Sequence, residues 1–121
     1  MDNTNTVTNN SGFFKDERGI IKDILQEDIN SVTIITFNNA VRGNHYHKKT
    51  TQWDYVLEGD FVFFSDEFKE GKRIKMGDLI KIPPEMPHAY VGDGVLISMC
   101  KGPRAGKDYE KDTYRLEKKL V

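Results

Sequence analysis

Residues 42–52 read Arg-Gly-Asn-His-Tyr-His-Lys-Lys-Thr-Thr-Gln, and two of the chain's three histidines, His45 and His47, stand one residue apart in this stretch. On a β-strand successive side chains alternate faces, so residues two apart project together. Two polar rings on one strand face are poor core material unless they have partners or work to do. Imidazole titrates near about pH 6.5, so the pair suits proton transfer as base and acid. The same rings are good donors to a divalent metal. The third histidine, His88, closes Pro-Pro-Glu-Met-Pro-His, a stretch with three of the chain's four prolines. Proline fixes φ, so this is a stiff, pre-shaped connection. His88 can line the same cavity or cap its own turn.

The neighbours of the pair extend the candidate site. Arg42 carries a planar fork of donors that matches phosphate oxygens. Lys48 and Lys49 read as solvated turn residues. On the next strand Gln52 and Asp54 share one parity with Val56, so a carboxylate stands where an apolar residue is expected. A buried carboxylate is costly unless paired, so Asp54 is expected to orient an imidazole or to meet a ligand. Tyr90, two residues after His88, can reach the cavity, whereas alternation turns Tyr46 away from His45 and His47. The substrate-binding set read from the sequence is therefore Arg42, Gln52, Asp54, His88 and Tyr90, with His45 and His47 catalytic. A metal set of His45, His47, Gln52 and His88 is the alternative. It is weaker in one ligand, because a neutral amide oxygen holds a cation less well than a carboxylate.

Something must hold these residues in register. Short runs rich in β-branched and aromatic residues recur, broken by Gly, Pro and Asp. They predict strands over 19–25, 31–38, 43–48, 52–58, 60–65, 72–76, 78–82, 88–91 and 94–100. Glu-Gly-Asp at 58–60 reads as a tight hairpin between two of them. Many short strands at regular spacing indicate an all-β sandwich or barrel. Residues 108–120 fit either a short helix or a last strand. Trp53, Phe61, Phe63 and Phe64 are expected in the core or at a subunit interface.

With 121 residues the chain is the size of one domain. The stretch 1–12, rich in Asn and Thr, reads as a flexible tail without the features of a secretory signal, and 13–121 as the domain. The 18 basic and 19 acidic residues leave a net charge of −1, so nothing in the balance favours nucleic acid or an anionic membrane. No apolar run approaches the roughly 20 residues that span a bilayer. Cys100 is the sole cysteine and sits in the apolar run Val-Leu-Ile-Ser-Met-Cys, as a buried thiol in a reducing cytoplasm would.

The spacing of Gly43, His45, His47, Gln52 and Gly59 resembles the first motif of the cupin superfamily, and Gly77, Pro83 and His88 resemble its second. Metal-binding cupins have a Glu where Gln52 stands. Glu85 and Gly92 stand where a Gly and an Asn are usual. The stretch from Arg42 to Gln52 further resembles the R-G-x-H-x-H-K-K-x-x-Q signature of the small sugar 3,4-ketoisomerases that act on dTDP-4-keto-6-deoxyglucose. The likeness extends weakly from Phe13 to Leu116, through Lys-Asp-Glu-Arg-Gly, Pro-Pro-Glu-Met-Pro-His-Ala-Tyr and Asp-Tyr-Glu-Lys-Asp-Thr-Tyr-Arg. These proteins often have a tyrosine on the strand before Arg-Gly, and here that strand has none. The resemblance implies a double-stranded β-helix (a jelly-roll-like barrel) with its site in the barrel mouth, and isomerisation of a nucleotide-linked 4-keto-6-deoxy sugar through an enediol. It further implies no cofactor, a nucleotide-sugar partner, a homodimer and a place in surface-polysaccharide synthesis. A 3,5-epimerase of the same substrates, a metal-dependent cupin enzyme and a non-catalytic sugar-binding cupin are the competing readings.

Overall fold

The computed structural model describes residues 6–9 and 12–121. Nine strands run in chain order as β1 (Val7–Asn9), β2 (Phe14–Asp16), β3 (Gly19–Ile21), β4 (Ser31–Tyr46), β5 (Thr51–Ser65), β6 (Lys72–Ile74), β7 (Asp78–Ile82), β8 (His88–Lys101) and β9 (Tyr114–Arg115), with one 3-10 turn at Gly106–Asp108. Seven of them form one antiparallel sheet in the order β1-β7-β5-β8-β4-β9, with β6 attached to β5, while β2 and β3 make a separate hairpin. The all-β class expected from the sequence is the one observed.

Three long strands carry the molecule, with β8 between β4 and β5. Each corresponds to two shorter strands expected from the sequence. The apolar runs 31–38 and 43–48 are the two ends of β4, 52–58 and 60–65 of β5, and 88–91 and 94–100 of β8. Glu-Gly-Asp at 58–60 is therefore not a hairpin. It is the corner of one continuous strand, with a register shift between Val56 and Glu58 against β8. Gly59 has φ 101° there, and a Cβ on it would run into the carbonyl of Asp93 on β8. A glycine corner with a bulge bends a strand that stays hydrogen-bonded throughout, and so curls a sheet into a barrel.

The bulges also reset which parity faces inward. Along β5 the buried residues of one parity are Gln52, Asp54 and Val56 before the corner, and of the other Phe61, Phe63 and Ser65 after it. On β4 the shifts lie between Phe37 and Ala40 and between Gly43 and His45. β8 keeps one parity along its length, so His88, Tyr90, Leu96, Ser98 and Cys100 share a face. The core gathers Phe37, Val56, Phe61, Phe63, Ile74, Ile80, Ile82, Tyr90 and Leu96. Phe37 meets Phe61 edge-on at 4.9 Å between ring centres, and Phe63 lies 5.2 Å from Tyr90. Trp53 is buried outside this cluster, while Phe64 is half-buried.

Two further expectations change. Within the stretch read as a tail, Val7–Asn9 is a strand on β7; residues 1–5, 10 and 11 lie outside the described residues. Asn9 donates from Nδ2 to Asp78 Oδ1 at 2.7 Å, and Lys81 N donates to the Thr6 carbonyl at 2.8 Å. Backbone pairing along β7 needs no apolar side chains, which is why composition did not reveal it. Residues 19–25 shorten to the three of β3, and 108–120 becomes the end of a 3-10 turn and the two-residue β9.

Candidate active site

Between β4, β8 and the 102–115 segment lies a cavity of about 340 Å³. That is the low end of the ~300–1,000 Å³ usual for ligand sites. His45 enters from the end of β4, and His88 from the start of β8, directly opposite it in the strand register. His47 follows β4 by one residue. The three rings form a triangle with centres 4.7 Å apart for His45 and His88, 4.9 Å for His45 and His47, and 5.1 Å for His47 and His88. Gly43 makes this approach possible. It has φ 105°, and a Cβ there would lie 2.8 Å from the His88 carbonyl and 2.9 Å from Ala89 Cα.

The expectation that His45 and His47 project together into an open pocket needs correcting. His45 lines the cavity; His47 is buried behind it and does not. The bulge at Gly43/His45 and the left-handed Asn44 (φ 58°) turn the chain, and the strand ends at Tyr46. His88, from the other strand, lines the cavity beside His45.

Backbone carbonyls set the ring tautomers. His47 Nδ1 lies 2.9 Å from the Asp112 carbonyl and His88 Nδ1 lies 3.0 Å from the Met86 carbonyl. A carbonyl only accepts, so both Nδ1 atoms carry hydrogen and both Nε2 atoms present lone pairs. Those two Nε2 atoms are buried and have no hydrogen-bond partner among the described residues. Burial lowers the pKa of all three rings. His45 falls to about 3, first through desolvation, then through repulsion from His47, Arg104 and Arg115. His47 is lowered by burial, against an opposing hydrogen bond to the Asp112 carbonyl. His88 falls well below the usual value, by burial and then by His45. The cluster is neutral near pH 7.

Beneath it lies a buried polar network. Gln52 donates from Nε2 to both Asp54 oxygens, at 2.9 and 2.8 Å, and Tyr90 donates its hydroxyl to Asp54 Oδ2 at 2.6 Å. Burial raises the Asp54 pKa, partly offset by the bonds from Tyr90 and Gln52. Tyr90 is pushed well above its usual value by burial and then by the Asp54 charge. Asp54 is fully buried and does not line the cavity, so it does not serve as the ligand contact expected of it. It fixes the Gln52 amide and the Tyr90 ring, both of which do line the cavity. Arg42 stands exposed at the mouth, 5.4 Å above the Phe37 ring, and donates to the Thr36 carbonyl.

Sequence reasoning missed two residues of the 102–113 stretch. Asp112 (φ 51°) accepts from Lys48 N, Lys49 N and Thr50 Oγ1 through its carboxylate, and from His47 through its carbonyl. Arg104 lines the cavity and donates from Nη1 to Gln52 Oε1 at 3.2 Å. Neither lies in a periodic run, and only the fold brings them to the histidines.

The donors partly fit a divalent metal. One ligand atom from each of His45, His47 and His88 can be chosen so that all lie within 4.8 Å of one another, and orphaned imidazole lone pairs are good ligands. Gln52 does not fit as a fourth ligand, because its oxygen already accepts from a guanidinium cation.

Residues 21–100 match the cupin family, and the chain belongs to it. Its barrel is the cupin double-stranded β-helix. No curated protein matches the chain. Among solved structures it is similar to a double mutant of the 3,4-ketoisomerase QdtA from Thermoanaerobacterium thermosaccharolyticum in complex with TDP. The two share 25% identity over 91% of this chain and 87% of the other, with a TM-score of 0.65. The TDP-fucose-3,4-ketoisomerase WlaRA from Campylobacter jejuni aligns at 16% identity over 89% and 86%, with a TM-score of 0.67. The dTDP-4-dehydrorhamnose 3,5-epimerase from Sulfolobus tokodaii aligns at 17% identity over 74% and 65%, with a TM-score of 0.57.

Proposed function

We propose that this cupin is a nucleotide-sugar isomerase that converts a dTDP-linked 4-keto-6-deoxyhexose into its 3-keto isomer. The carrying observation is His45, a neutral imidazole held at the wall of a cavity just large enough for a sugar. The likeness to sugar 3,4-ketoisomerases supplies the substrate class. His45 takes the proton from carbon 3, and the carbon 4 carbonyl becomes an enediol. A proton then returns to carbon 4, and the hydroxyl hydrogen passes from oxygen 3 to oxygen 4. A ring whose basicity is depressed gives its proton back readily, and the incoming diphosphate charge favours its protonated form. His88 backs the same wall, and His47 fixes the cluster from behind. Arg42 at the mouth is placed for the diphosphate. Tyr90 and Gln52, oriented by Asp54, line the sugar site.

Proton exchange is the test. The protein in D2O with dTDP-4-keto-6-deoxyglucose is expected to place deuterium at carbons 3 and 4, and His45→Asn to abolish it. Exchange at carbons 3 and 5 would instead identify an epimerase, and His45→Asn exchanging like wild type would remove the assignment.

The orphaned Nε2 atoms of His47 and His88 favour a second reading, a divalent cation on the three histidines. Such an ion would polarise a substrate carbonyl. Elemental analysis of the purified protein decides: one equivalent of a transition metal supports it, and none supports metal-free acid–base catalysis.

The quaternary reading is a homodimer. Among the described residues the edge of β4 away from β8 pairs only with β9, at His45 and Tyr46, and Val32, Ile34 and Val41 on β4 are exposed. An open apolar edge of this length invites a second copy. Light scattering is expected to give twice the chain mass. Among the described residues no helix is long and apolar enough to cross a membrane, and the proposed nucleotide-sugar substrate supports a cytoplasmic location.

A further inference from the structure

Arg104 is a cation at the cavity wall that touches no carboxylate among the described residues; the buried charge of Asp54 acts on it only from beyond Gln52. No carboxylate forms an ion pair with it among the described residues; the two ion pairs found are Arg18–Asp16 and Lys111–Asp108. Only its Nη1 is engaged, with Gln52 Oε1 at 3.2 Å and Cys100 Sγ at 3.6 Å, both uncharged partners. Its Nε–H is buried and has no hydrogen-bond partner among the described residues. A part-buried guanidinium is costly to leave uncompensated, and a buried donor left unmade costs more. The backbone holds the residue there on purpose of geometry: Arg104 N donates to Thr50 Oγ1, which in turn donates to Asp112, so the segment is tied to the histidine turn. Arg104 lines the cavity, so its charge is available there to an anion.

Resting on the isomerase reading, we propose that Arg104 is a catalytic residue of that site: it binds the oxygen on which negative charge develops as carbon 3 loses its proton. Arg42 and Arg115 also line the cavity but are exposed, so a hydrated diphosphate is met by them at the mouth. Arg104 sits deeper, against Gln52 and Cys100, each 3% exposed, and shares the cavity wall with His45, on which its charge acts. When His45 takes the carbon 3 hydrogen, the C–H pair becomes the C3–C4 double bond and the carbonyl pair moves onto oxygen 4. The hydrogen on oxygen 3 then passes to oxygen 4, which leaves the charge on oxygen 3; that charge is spent as the carbonyl forms at carbon 3 and carbon 4 takes the proton back from His45. A planar fork can serve both oxygens in turn, which a single ammonium cannot. The bond to Gln52, itself held by Asp54, keeps the fork from swinging away.

The test uses Arg104→Met, which keeps the aliphatic stem, and Arg104→Lys, which keeps the charge. Both are measured beside the wild type with dTDP-4-keto-6-deoxyglucose in D2O, and for dTDP binding by calorimetry. Removing one preorganised oxyanion donor typically costs about 10²–10³-fold in kcat. Arg104→Met is expected to lose that much, with its Kd for dTDP within about threefold of wild type. Arg104→Lys is expected to recover only part. A loss confined to KM and dTDP binding would overturn the proposal and make Arg104 a phosphate ligand. Unchanged kcat in either variant would also overturn it, and Arg104→Lys decides if Arg104→Met fails to fold. If the wild type exchanges no deuterium with any 4-keto nucleotide sugar, the isomerase reading falls, and this role with it.

Discussion

Acid should unfold this protein earlier than its net charge suggests, because folding must keep three imidazoles neutral. In an unfolded chain each histidine protonates near about pH 6.5. In the folded chain His45 resists until about pH 3, with burial the main cause. Burial shifts His47 and His88 in the same direction. Below about pH 6.5 the unfolded chain therefore binds protons that the folded chain refuses. Stability is lost as pH falls from there toward the folded value. At about pH 5.5, His45 alone costs about 1.4 kcal/mol relative to about pH 8. The other two add with the same sign, to a ceiling of about 4 kcal/mol, against a typical total of about 5–15. Asp54 works the other way: burial raises its pKa, so its contribution improves as pH falls. It is one group against three. Urea unfolding at the two pH values is the assay, with a chelator present so that no metal holds the rings neutral. The midpoint is expected to drop markedly at the lower pH, and the drop to shrink in His45→Asn. Equal midpoints at the two pH values would refute the claim that the cluster is buried and uncharged.

Three further outcomes follow from the network around the rings. Tyr90→Phe removes the 2.6 Å hydroxyl donor to a fully buried carboxylate and is expected to cost about 1–3 kcal/mol in urea unfolding at neutral pH, with the ring's packing retained. Asp112→Ala deletes the acceptor of three bonds at a left-handed backbone position. Its cost is expected at about 2–3 kcal/mol, and Asp112→Asn should lose less, since asparagine tolerates that φ and keeps one acceptor. Glu85 has φ 74°, a conformation costing a side chain about 1–2 kcal/mol; Glu85→Gly relieves it at an entropic cost of about 0.5–1, so a melting temperature a few degrees higher is expected.

The same position shows how far motif reasoning reached. Glu85 stands where the second cupin motif usually has glycine, and the structure supplies the physical reason for that preference. The turn needs a left-handed residue whose N–H reaches the His47 carbonyl, 2.6 Å away. Alternation correctly grouped Gln52 with Asp54 and sent Tyr46 outward, where it stacks on Tyr114. It failed at His47, at the Glu-Gly-Asp corner and along β4, each time where a bulge or strand end interrupts the period. A bulge is a relation between two strands, and one strand's residues do not announce it.

By itself the amino-acid order determined the β class, the two-residue period that groups Gln52 with Asp54 and His88 with Tyr90, and the presence of an imidazole pair beside Arg42. Those are local properties, written in side-chain type and a two-residue repeat. Tertiary structure alone decided which imidazole meets the cavity, which ring nitrogens are bare, and that Arg104 and Asp112 belong to the site. The reason is that carbonyls, bulges and an unpaired guanidinium act through space between segments some 60 residues apart, such as His47 and Asp112. Nothing along the chain encodes that proximity except the fold as a whole.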